Sequence, residues 1–489
     1  MDGRNIPVEA WRQRTQEERR EVIHRCSKGD EAAYDILLEL VRAEPGCGIY
    51  ASTGPNYQFA IFGRDSLEVA EDILEFRPDL AREVILLCAH LQGHDGNNQS
   101  EEEPGKIHHE YRALSFNDRH IPEVSREIFR RLAPGWGGTG DTLCYYGTVD
   151  ATPLFVRLVG RFVQIYGDQI LEEVIIDRFG RELSLRSHMT RAVQWITQHV
   201  ESSPWKLLEF RRLNDTGLPY QAWKDSETGY LHLDGSAAWA DGGIASIEVQ
   251  GYAYDALKVA HALKLGIDDS ENNYYRELAG VVQQQTCGLM WMEDEKYFAM
   301  GLDRSPDDPS ATRQIRTLTS NAAALLDSEL LLDLDEATRA RYVQPIVSTI
   351  MGAQFLTDAG IRLRSLTHPD ATSQADYHGN RITLPKETYD IAKGLRRHGY
   401  PLEADQLDER IVSSSLKSAE LFEFYLVNSE GEVKYHYRDQ YPDEPQIHEF
   451  GEAYWPEPGQ AWTISALLGI AENRRRARHN RIHATDLTS

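Results

Sequence analysis

The chain has 489 residues, of which 41% are hydrophobic and 26% charged, a balance typical of globular proteins. Its formal net charge of -25 argues against nucleic-acid binding, which requires basic surfaces. No run approaches the roughly 18 apolar residues of a membrane span, and the N-terminal segment has no apolar core like that of a secretory signal. We therefore expect a protein that binds neither nucleic acid nor membranes.

The cysteines are few and scattered, and no two of them form a CxxC pair. An odd, sparse set of this kind favours reduced thiols over a disulfide framework. Together with the absence of a signal, it predicts a cytoplasmic location. The five cysteines are Cys26, Cys47, Cys88, Cys144 and Cys287.

Apolar residues recur at helical spacing in four clear segments, 67–74, 189–196, 253–260 and 462–470. Strand-like alternation is short and lies chiefly in 424–437, where Ser-Glu-Gly predicts a hairpin turn. Long polar loops rich in aromatic residues separate the helical segments, and loops longer than about 15 residues are usually functional. These features predict one mostly helical domain. Periodicity alone does not separate a barrel of helical hairpins from a solenoid.

Eight tracts combine carboxylates, amides or cations with aromatic rings. Sugar sites need this mixture, because rings stack on the apolar faces of pyranoses while polar groups bind the hydroxyls. Aromatic and polar loops of this kind also occur at protein interfaces. The tracts are YQFAIFGRDSL (57–67), GKIHHEYR (105–112), YYGTVDATPLF (145–155), QAWKDS (221–226), EVQGY (248–252), DYHGNR (376–381), AELFEF (419–424) and GQAW (459–462).

FGRDSL, YYGTVDATPLF, WKDS followed by EVQGY, and YHGN together resemble, in the same order, the glucosidase part of glycogen debranching enzymes. More broadly, they are similar to the clan of inverting (α/α)6-barrel glycosidases. The resemblance runs from about Gly48 to Ile470 and implies a mainly α fold, an (α/α)6 barrel with small β-hairpins in its loops. We expect an N-terminal helical extension packing on the barrel (1–45), a catalytic domain (46–473) and a basic C-terminal tail (474–489).

The same resemblance implies an exo-acting, inverting α-glucosidase that releases terminal glucose from a small or branched α-glucoside and needs no cofactor. Its partner would be the carbohydrate substrate. Hydrolysis of another glycoside, such as trehalose, glucosylglycerate or a non-glucose sugar, is an alternative. A non-catalytic carbohydrate-binding barrel and an isomerase are further alternatives, and the sequence does not predict the oligomeric state.

Two carboxylates are the candidate catalytic groups. Asp225 could be held protonated by an apolar wall, ionised by Lys224, or used as a helix cap; the resemblance implies the general acid. We expect the Lys224 ammonium to point toward substrate hydroxyls. For the base, AELFEF and GQAW resemble the corresponding tracts of the clan, which indicates Glu420. The rival bases are Glu423, Glu452 and Glu457.

Further residues of these tracts are predicted to bind the sugar. For Arg64 and Asp65 the alternative is a structural salt bridge, and for Asp150 and Glu248 it is a buried carboxylate paired inside the helical scaffold. His108, His109 and Glu110 suggest a metal, but their spacing is not that of an HExxH site, so we predict none. The predicted substrate-binding residues are Tyr57, Arg64, Asp65, His109, Glu110, Asp150, Trp223, Lys224, Glu248, Gln250, Tyr377, His378, Asn380 and Trp462.

Overall fold

The computed structural model describes residues 6–43, 48–54, 56–114, 121–368, 376–434, 447–449 and 452–486. For 447–449, 452–454 and 479–486 only the backbone is described. Cys47 lies outside the described residues. Within them the chain is mainly helical, as the sequence predicts.

Sixteen α-helices occur in the described part of the chain. They are α1 (Ile6–Gln13), α2 (Gln16–Ser27), α3 (Glu31–Val41), α4 (Gly63–Ile73), α5 (Pro78–His90), α6 (Glu123–Leu132), α7 (Ala151–Tyr166), α8 (Leu185–Ser202), α9 (Ile247–Ala262), α10 (Asp269–Met290), α11 (Asn321–Ala324), α12 (Glu329–Leu332), α13 (Glu336–Ile350), α14 (Pro385–Arg397), α15 (Pro401–Ser418) and α16 (Ala461–Asp486).

Six of these helices form a closed inner ring. Helix α4 contacts α7, α7 contacts α9, α9 contacts α11, α11 contacts α14, α14 contacts α16, and α16 returns to α4. A solenoid could not close in this way, since its first and last repeats do not meet. The fold is therefore an (α/α)6 barrel, which confirms the predicted fold class.

A second layer of helices packs outside the ring. Helices α5, α8, α10, α13 and α15 lie against α4, α7, α9, α11 and α14 respectively, each close in sequence to its inner partner. The outer position beside α16 is taken by α2 and α3 from the start of the chain. At the other terminus, α16 continues as helix through the segment 474–486.

The core lies between the two layers and along the axis of the ring. The apolar stripes explain this placement: Leu67, Ala70 and Ile73 on α4 are at most 1% exposed. On α9, Ala253 and Leu257 are completely buried. Because the inner helices are covered on all sides, both faces of each are buried, and their polar residues must pair inside the barrel.

Short strands connect the helices at the barrel ends and form small antiparallel sheets. The three-stranded sheets have the orders β1-β2-β3, β10-β9-β6 and β13-β14-β15, and the others are two-stranded. The hairpin predicted in 424–437 is present as β14 and β15. The strands are β1 (Ala60–Phe62), β2 (Glu110–Ala113), β3 (Thr142–Tyr145), β4 (Val174–Ile176), β5 (Glu182–Ser184), β6 (Ala245–Ser246), β7 (Trp291–Met292), β8 (Tyr297–Phe298), β9 (Gly301–Arg304), β10 (Thr312–Ile315), β11 (Leu356–Thr357), β12 (Gly360–Ile361), β13 (Ile382–Thr383), β14 (Tyr425–Val427), β15 (Val433–Lys434), β16 (Ile447–Glu449) and β17 (Glu452–Tyr454).

None of the helices in the described ranges combines the length and the apolar character that crossing a lipid bilayer requires.

Candidate active site

A cavity opens at the end of the barrel where the inner helices begin. Its volume is about 440 Å³ including the part open to solvent, which is within the range of small-molecule sites. Charged and aromatic side chains both contribute to its wall. Its lining residues are Tyr57, Phe62, Arg64, Asp65, His109, Trp223, Asp225, Tyr377, His378, Glu423, Gln460 and Trp462.

The start of α4 supplies the only guanidinium among these lining residues. Arg64 Nη1 donates to Asp150 Oδ2 at 2.9 Å, and Nη2 donates to Asp225 Oδ2 at 3.0 Å. Asp150 is fully buried, whereas the Asp225 side chain is 19% exposed and faces the cavity. Arg64 therefore fixes the orientation of Asp225 while leaving part of its carboxyl group accessible to a ligand.

The Asp225 carboxyl is suited to carry a proton in weakly acidic solution. Burial raises its pKa to about 6; Arg64 lowers it through charge and hydrogen bonding, and the Asp150 charge raises it. Burial also raises the pKa of the neighbouring Asp65 to about 7, against the lowering effect of Arg64. The cavity thus holds two carboxyls with raised pKa values, a feature that clusters at catalytic sites.

Two histidines complete the wall around these acids. His378 Nδ1 lies 2.7 Å from Ser226 Oγ, and its ring meets Trp223 edge to face at 5.2 Å. His109 packs edge to face on Phe62 at 5.6 Å. Burial lowers the pKa of both imidazoles well below the usual value, so both are neutral at physiological pH.

Glu423 lies in the same cavity as Asp225 and is 3% exposed. Tyr377 Oη donates to Glu423 Oε1 at 2.5 Å. The backbone amide of Glu423 donates to the Glu457 carbonyl at 3.0 Å, which anchors the segment to the residues that precede α16. A hydroxyl donor stabilises an ionised carboxylate, so this contact suits a group that acts as a base.

Glu420, the residue predicted as the base, does not line the cavity, and its position is a correction to the sequence interpretation. Its Oε1 accepts from Trp11 Nε1 at 3.2 Å, and its Oε2 is paired with Arg19. Both partners belong to the N-terminal helices. The carboxylate is therefore directed away from Asp225 toward the outside of the barrel.

Of the two remaining rivals, Glu457 does not line the cavity. Glu457 is 3% exposed and accepts from Ser52 Oγ at 3.2 Å, and burial raises its pKa to about 7. The side chain of Glu452 lies outside the described residues. Of the three late glutamates whose side chains are described, Glu423 is the one that shares the cavity with Asp225.

The Lys224 side chain does not point toward the substrate cavity, contrary to the prediction. Its ammonium does not face the cavity but donates to Leu363 O at 2.8 Å and to Ser320 Oγ at 3.1 Å, and the residue is fully buried. Burial lowers its pKa to about 8. Its Nζ also lies over the adjacent indole, 4.9 Å from the Trp223 ring centre. Lys224 is thus an anchor of the loop that carries Asp225.

Five other predicted sugar ligands make contacts within the protein and do not line the cavity. Glu110 pairs with Arg112, and Asp150 with Arg64. The Glu248 carboxylate accepts from Ser246 and Tyr230. Gln250 bonds both backbone groups of Leu208, and Asn380 donates to the His368 carbonyl at 3.1 Å. Asp150 and Glu248 are therefore buried carboxylates paired inside the helical scaffold, which was the alternative to a role in sugar binding.

The cavity gathers the other predicted ligands, Tyr57, Arg64, Asp65, His109, Trp223, Tyr377, His378 and Trp462, around Asp225. Sequence reasoning missed Phe62 and Gln460 as lining residues. Both belong to tracts that the sequence marked as candidate site segments. Phe62 is the first residue of FGRDSL, and Gln460 is the second residue of GQAW. Trp462 contributes a buried indole N–H that no group in the described part of the protein accepts.

The described side chains include no group of three histidine, cysteine, aspartate or glutamate residues arranged to hold a metal ion. The absence of a metal requirement stays a prediction.

Solved structures of glycosidases are similar to this fold. The GH63 mannosylglycerate hydrolase from Thermus thermophilus in complex with glucose superposes with a TM-score of 0.55 at 12% identity, covering 90% of this chain and 98% of that chain. A glycosidase variant in complex with glucose gives a TM-score of 0.53 at 10% identity, covering 93% and 97%. At the level of sequence, no family model and no curated protein matches the chain. These likenesses concern the fold.

Proposed function

We propose that the protein is a glycoside hydrolase, an exo-acting and inverting α-glucosidase that releases terminal glucose from a small or branched α-glucoside. One observation carries the proposal: Asp225, with a raised pKa, and Glu423, held by Tyr377, line one cavity at the end of a helical barrel. Hydrolysis of a glycoside requires two carboxyls, one that donates a proton and one that accepts a proton from water.

In the proposed reaction, protonated Asp225 gives its proton to the glycosidic oxygen as the bond from that oxygen to the anomeric carbon breaks. Ionised Glu423 removes a proton from a water molecule, whose oxygen forms the new bond to the same carbon from the opposite face. The proton count balances, since the acid loses one proton and the base gains one. Solvent then restores both groups.

The lining residues fit the binding of a neutral sugar. Trp223, Trp462 and Tyr57 offer aromatic surfaces, and the Trp462 N–H offers a donor. Asp65 and the neutral His109 offer hydrogen-bonding groups for hydroxyls. The cavity lies at the end of a closed barrel, which favours attack on a chain terminus.

A second candidate, hydrolysis of an α-glycoside of glycerate, is favoured by the similarity in fold to a structure that bears the name mannosylglycerate hydrolase. The two candidates share the same acid, base and inversion. They differ in the charge of the leaving group.

The deciding experiment is a panel of α- and β-glycosides that includes isomaltose, maltose, trehalose and glycosylglycerates, scored for released monosaccharide. Nuclear magnetic resonance in the first minutes should show the product of an α-glucoside as the β-anomer, because direct attack by water inverts the centre. An initial α-anomer would make the enzyme retaining. A panel with no turnover would favour the non-catalytic, carbohydrate-binding alternative.

A further inference from the structure

The segment that carries Glu423 begins with an unusual turn. Helix α15 is followed by Ala419, whose φ of 54° is left-handed, a conformation unfavourable for a residue with a Cβ. Such a turn persists only where surrounding contacts hold it. Glu420 follows directly, and Glu423 lies three residues further on.

One side of this segment is held by the residues that lead into α16. The amide of Gln460 donates to Leu421 O at 2.9 Å, and the Glu423 amide donates to Glu457 O at 3.0 Å. Thr463 Oγ1 donates to Phe422 O at 2.7 Å. These contacts bind the backbone but do not involve the left-handed turn.

The Ser418 hydroxyl spans the turn itself and donates to Glu420 O at 2.9 Å, and the Glu420 carboxylate holds the other side. Its Oε1 accepts from the Leu421 amide at 2.9 Å and from Trp11 Nε1, and its Oε2 is paired with Arg19. The Arg19 and Glu420 side chains are 19% and 10% exposed. A partly buried, charge-assisted contact of this kind is among the stronger polar interactions.

The Arg19 side chain is also held by contacts with α1. Its Nε donates to Trp11 O at 3.2 Å and its Nη2 to Arg12 O at 3.0 Å, two carbonyls at the end of α1. Trp11 O also accepts from the Arg14 amide at 3.1 Å. Helix α2, on which Arg19 lies, starts with a capping box between Thr15 and Glu18. The guanidinium therefore joins α1, α2 and the Glu420 turn at one point.

We propose, on the basis of the proposed function, that Arg19 is a positioning residue for the base Glu423 and acts through Glu420. The N-terminal helices then complete the active site, since they fix the turn from which the Glu423 carboxylate projects. Loss of this contact should leave the sugar-binding wall intact while displacing the base. Small displacements of a reacting group can reduce turnover by about 10²-fold.

The test compares Arg19→Met, Trp11→Phe and Glu420→Gln in the full-length protein, using the best glycoside from the panel. We expect Arg19→Met to lower kcat about 10- to 100-fold with KM changed less than about threefold. Trp11→Phe keeps the ring and removes one donor, so its effect should be smaller. Arg19→Met combined with Glu420→Gln should be no worse than Arg19→Met alone, because both changes break one contact.

Arg20→Met is the matched control. Arg20 is the next residue on α2 and donates to Leu416 O at 3.1 Å, so it also ties α2 to the barrel without touching Glu420. We expect normal kcat for this variant, even if its Tm falls as far as that of Arg19→Met. Arg19→Lys should recover part of the lost kcat, since a shorter cation still reaches Glu420.

The outcomes separate the two proposals. If Glu423→Gln is inactive but Arg19→Met and Trp11→Phe keep full kcat, the positioning role of Arg19 is wrong. The assignment of Glu423 as the base then still stands. The role is also wrong if Arg20→Met lowers kcat as much as Arg19→Met, because the effect is then one of general stability. If Glu423→Gln remains active, the assignment of the base fails, and the positioning role fails with it.

Discussion

Arg64 holds two carboxylates at once: its Nη2 lies 3.0 Å from Asp225 Oδ2, and its Nη1 lies 2.9 Å from Asp150 Oδ2. The positive charge opposes the effect of burial on Asp225, whose pKa is about 6. Arg64 therefore lowers the pH at which Asp225 loses its proton, against the larger effect of burial.

This relationship predicts a shift in the pH profile of Arg64→Met. In the wild type, kcat/KM should fall as the pH rises through about 6, since the acid must be protonated. Without the guanidinium the pKa of Asp225 rises, so the basic limb should move to higher pH while the maximal rate falls. Arg82→Met, which removes a surface ion pair with Glu173, is the control and should leave the limb in place. A limb that moves to lower pH in Arg64→Met would contradict the assignment.

The two proposed catalytic carboxyls should respond differently to the leaving group. Asp225→Asn and Glu423→Gln should each lower kcat by about 10²- to 10⁴-fold on a natural glycoside. Substrates with activated leaving groups, such as glycosyl fluorides, need no protonation and should partly rescue Asp225→Asn alone. Steady-state kinetics on both substrate types provide the measurement.

Asp65→Asn tests the other carboxyl with a raised pKa, and Asp215→Asn, in an exposed loop position, is the neutral control. Rescue of Asp65→Asn by activated substrates, with none for Asp225→Asn, would transfer the acid role to Asp65.

The choice between Glu420 and Glu423 shows where sequence reasoning stops. Both stand in AELFEF, three residues apart, and each is flanked by aromatic or apolar residues. What separates them is the pairing of Glu420 with Trp11 and Arg19, which lie about 400 positions earlier in the chain. No local pattern encodes a contact at that separation.

The sequence predicts the fold more completely than it predicts which residues line the cavity. Apolar stripes in 67–74 and 253–260 predicted amphipathic helices, because one apolar face recurs at helical spacing. The structure places both segments on inner helices, α4 and α9. By contrast, Glu248 and Gln250 lie in the first turn of such a helix, where a polar side chain can reach either the cavity or the scaffold. Here both side chains form hydrogen bonds with neighbouring protein groups, and only the packed structure shows that they point away from the cavity.

Lys224→Met should lower both stability and turnover. Methionine fills a similar volume but cannot donate to Leu363 O and Ser320 Oγ, and leaving buried acceptors short of a donor costs about 1–3 kcal/mol. Because Asp225 is the next residue, we also expect kcat to fall about tenfold, as the acid becomes less well oriented. Lys28→Met, at an exposed position, should change neither quantity. Equal kcat for Lys224→Met and the wild type would show that the anchor does not orient Asp225.

Glu387, in the first turn of α14, should make the stability of the barrel depend on pH. The residue is 7% exposed, and burial raises its pKa from 4.5 to about 7 against the lowering effect of Lys224. Below about pH 4.5 the group is protonated in both the folded and the unfolded chain. As the pH rises toward 7, the unfolded chain releases the proton while the folded chain retains it, so stability is lost across this window.

The difference between these pKa values corresponds to about 3 kcal/mol, reached once the pH exceeds the folded value of about 7. Glu387→Gln has no such proton to hold, so its free energy of unfolding relative to the wild type should increase between pH 4.5 and 7.5. Glu277→Gln, at an exposed position on α10, should follow the wild type throughout. Denaturant unfolding at several pH values measures the difference. If the free energies of unfolding of Glu387→Gln and the wild type change in parallel with pH, Glu387 does not hold a proton in the folded barrel near neutral pH.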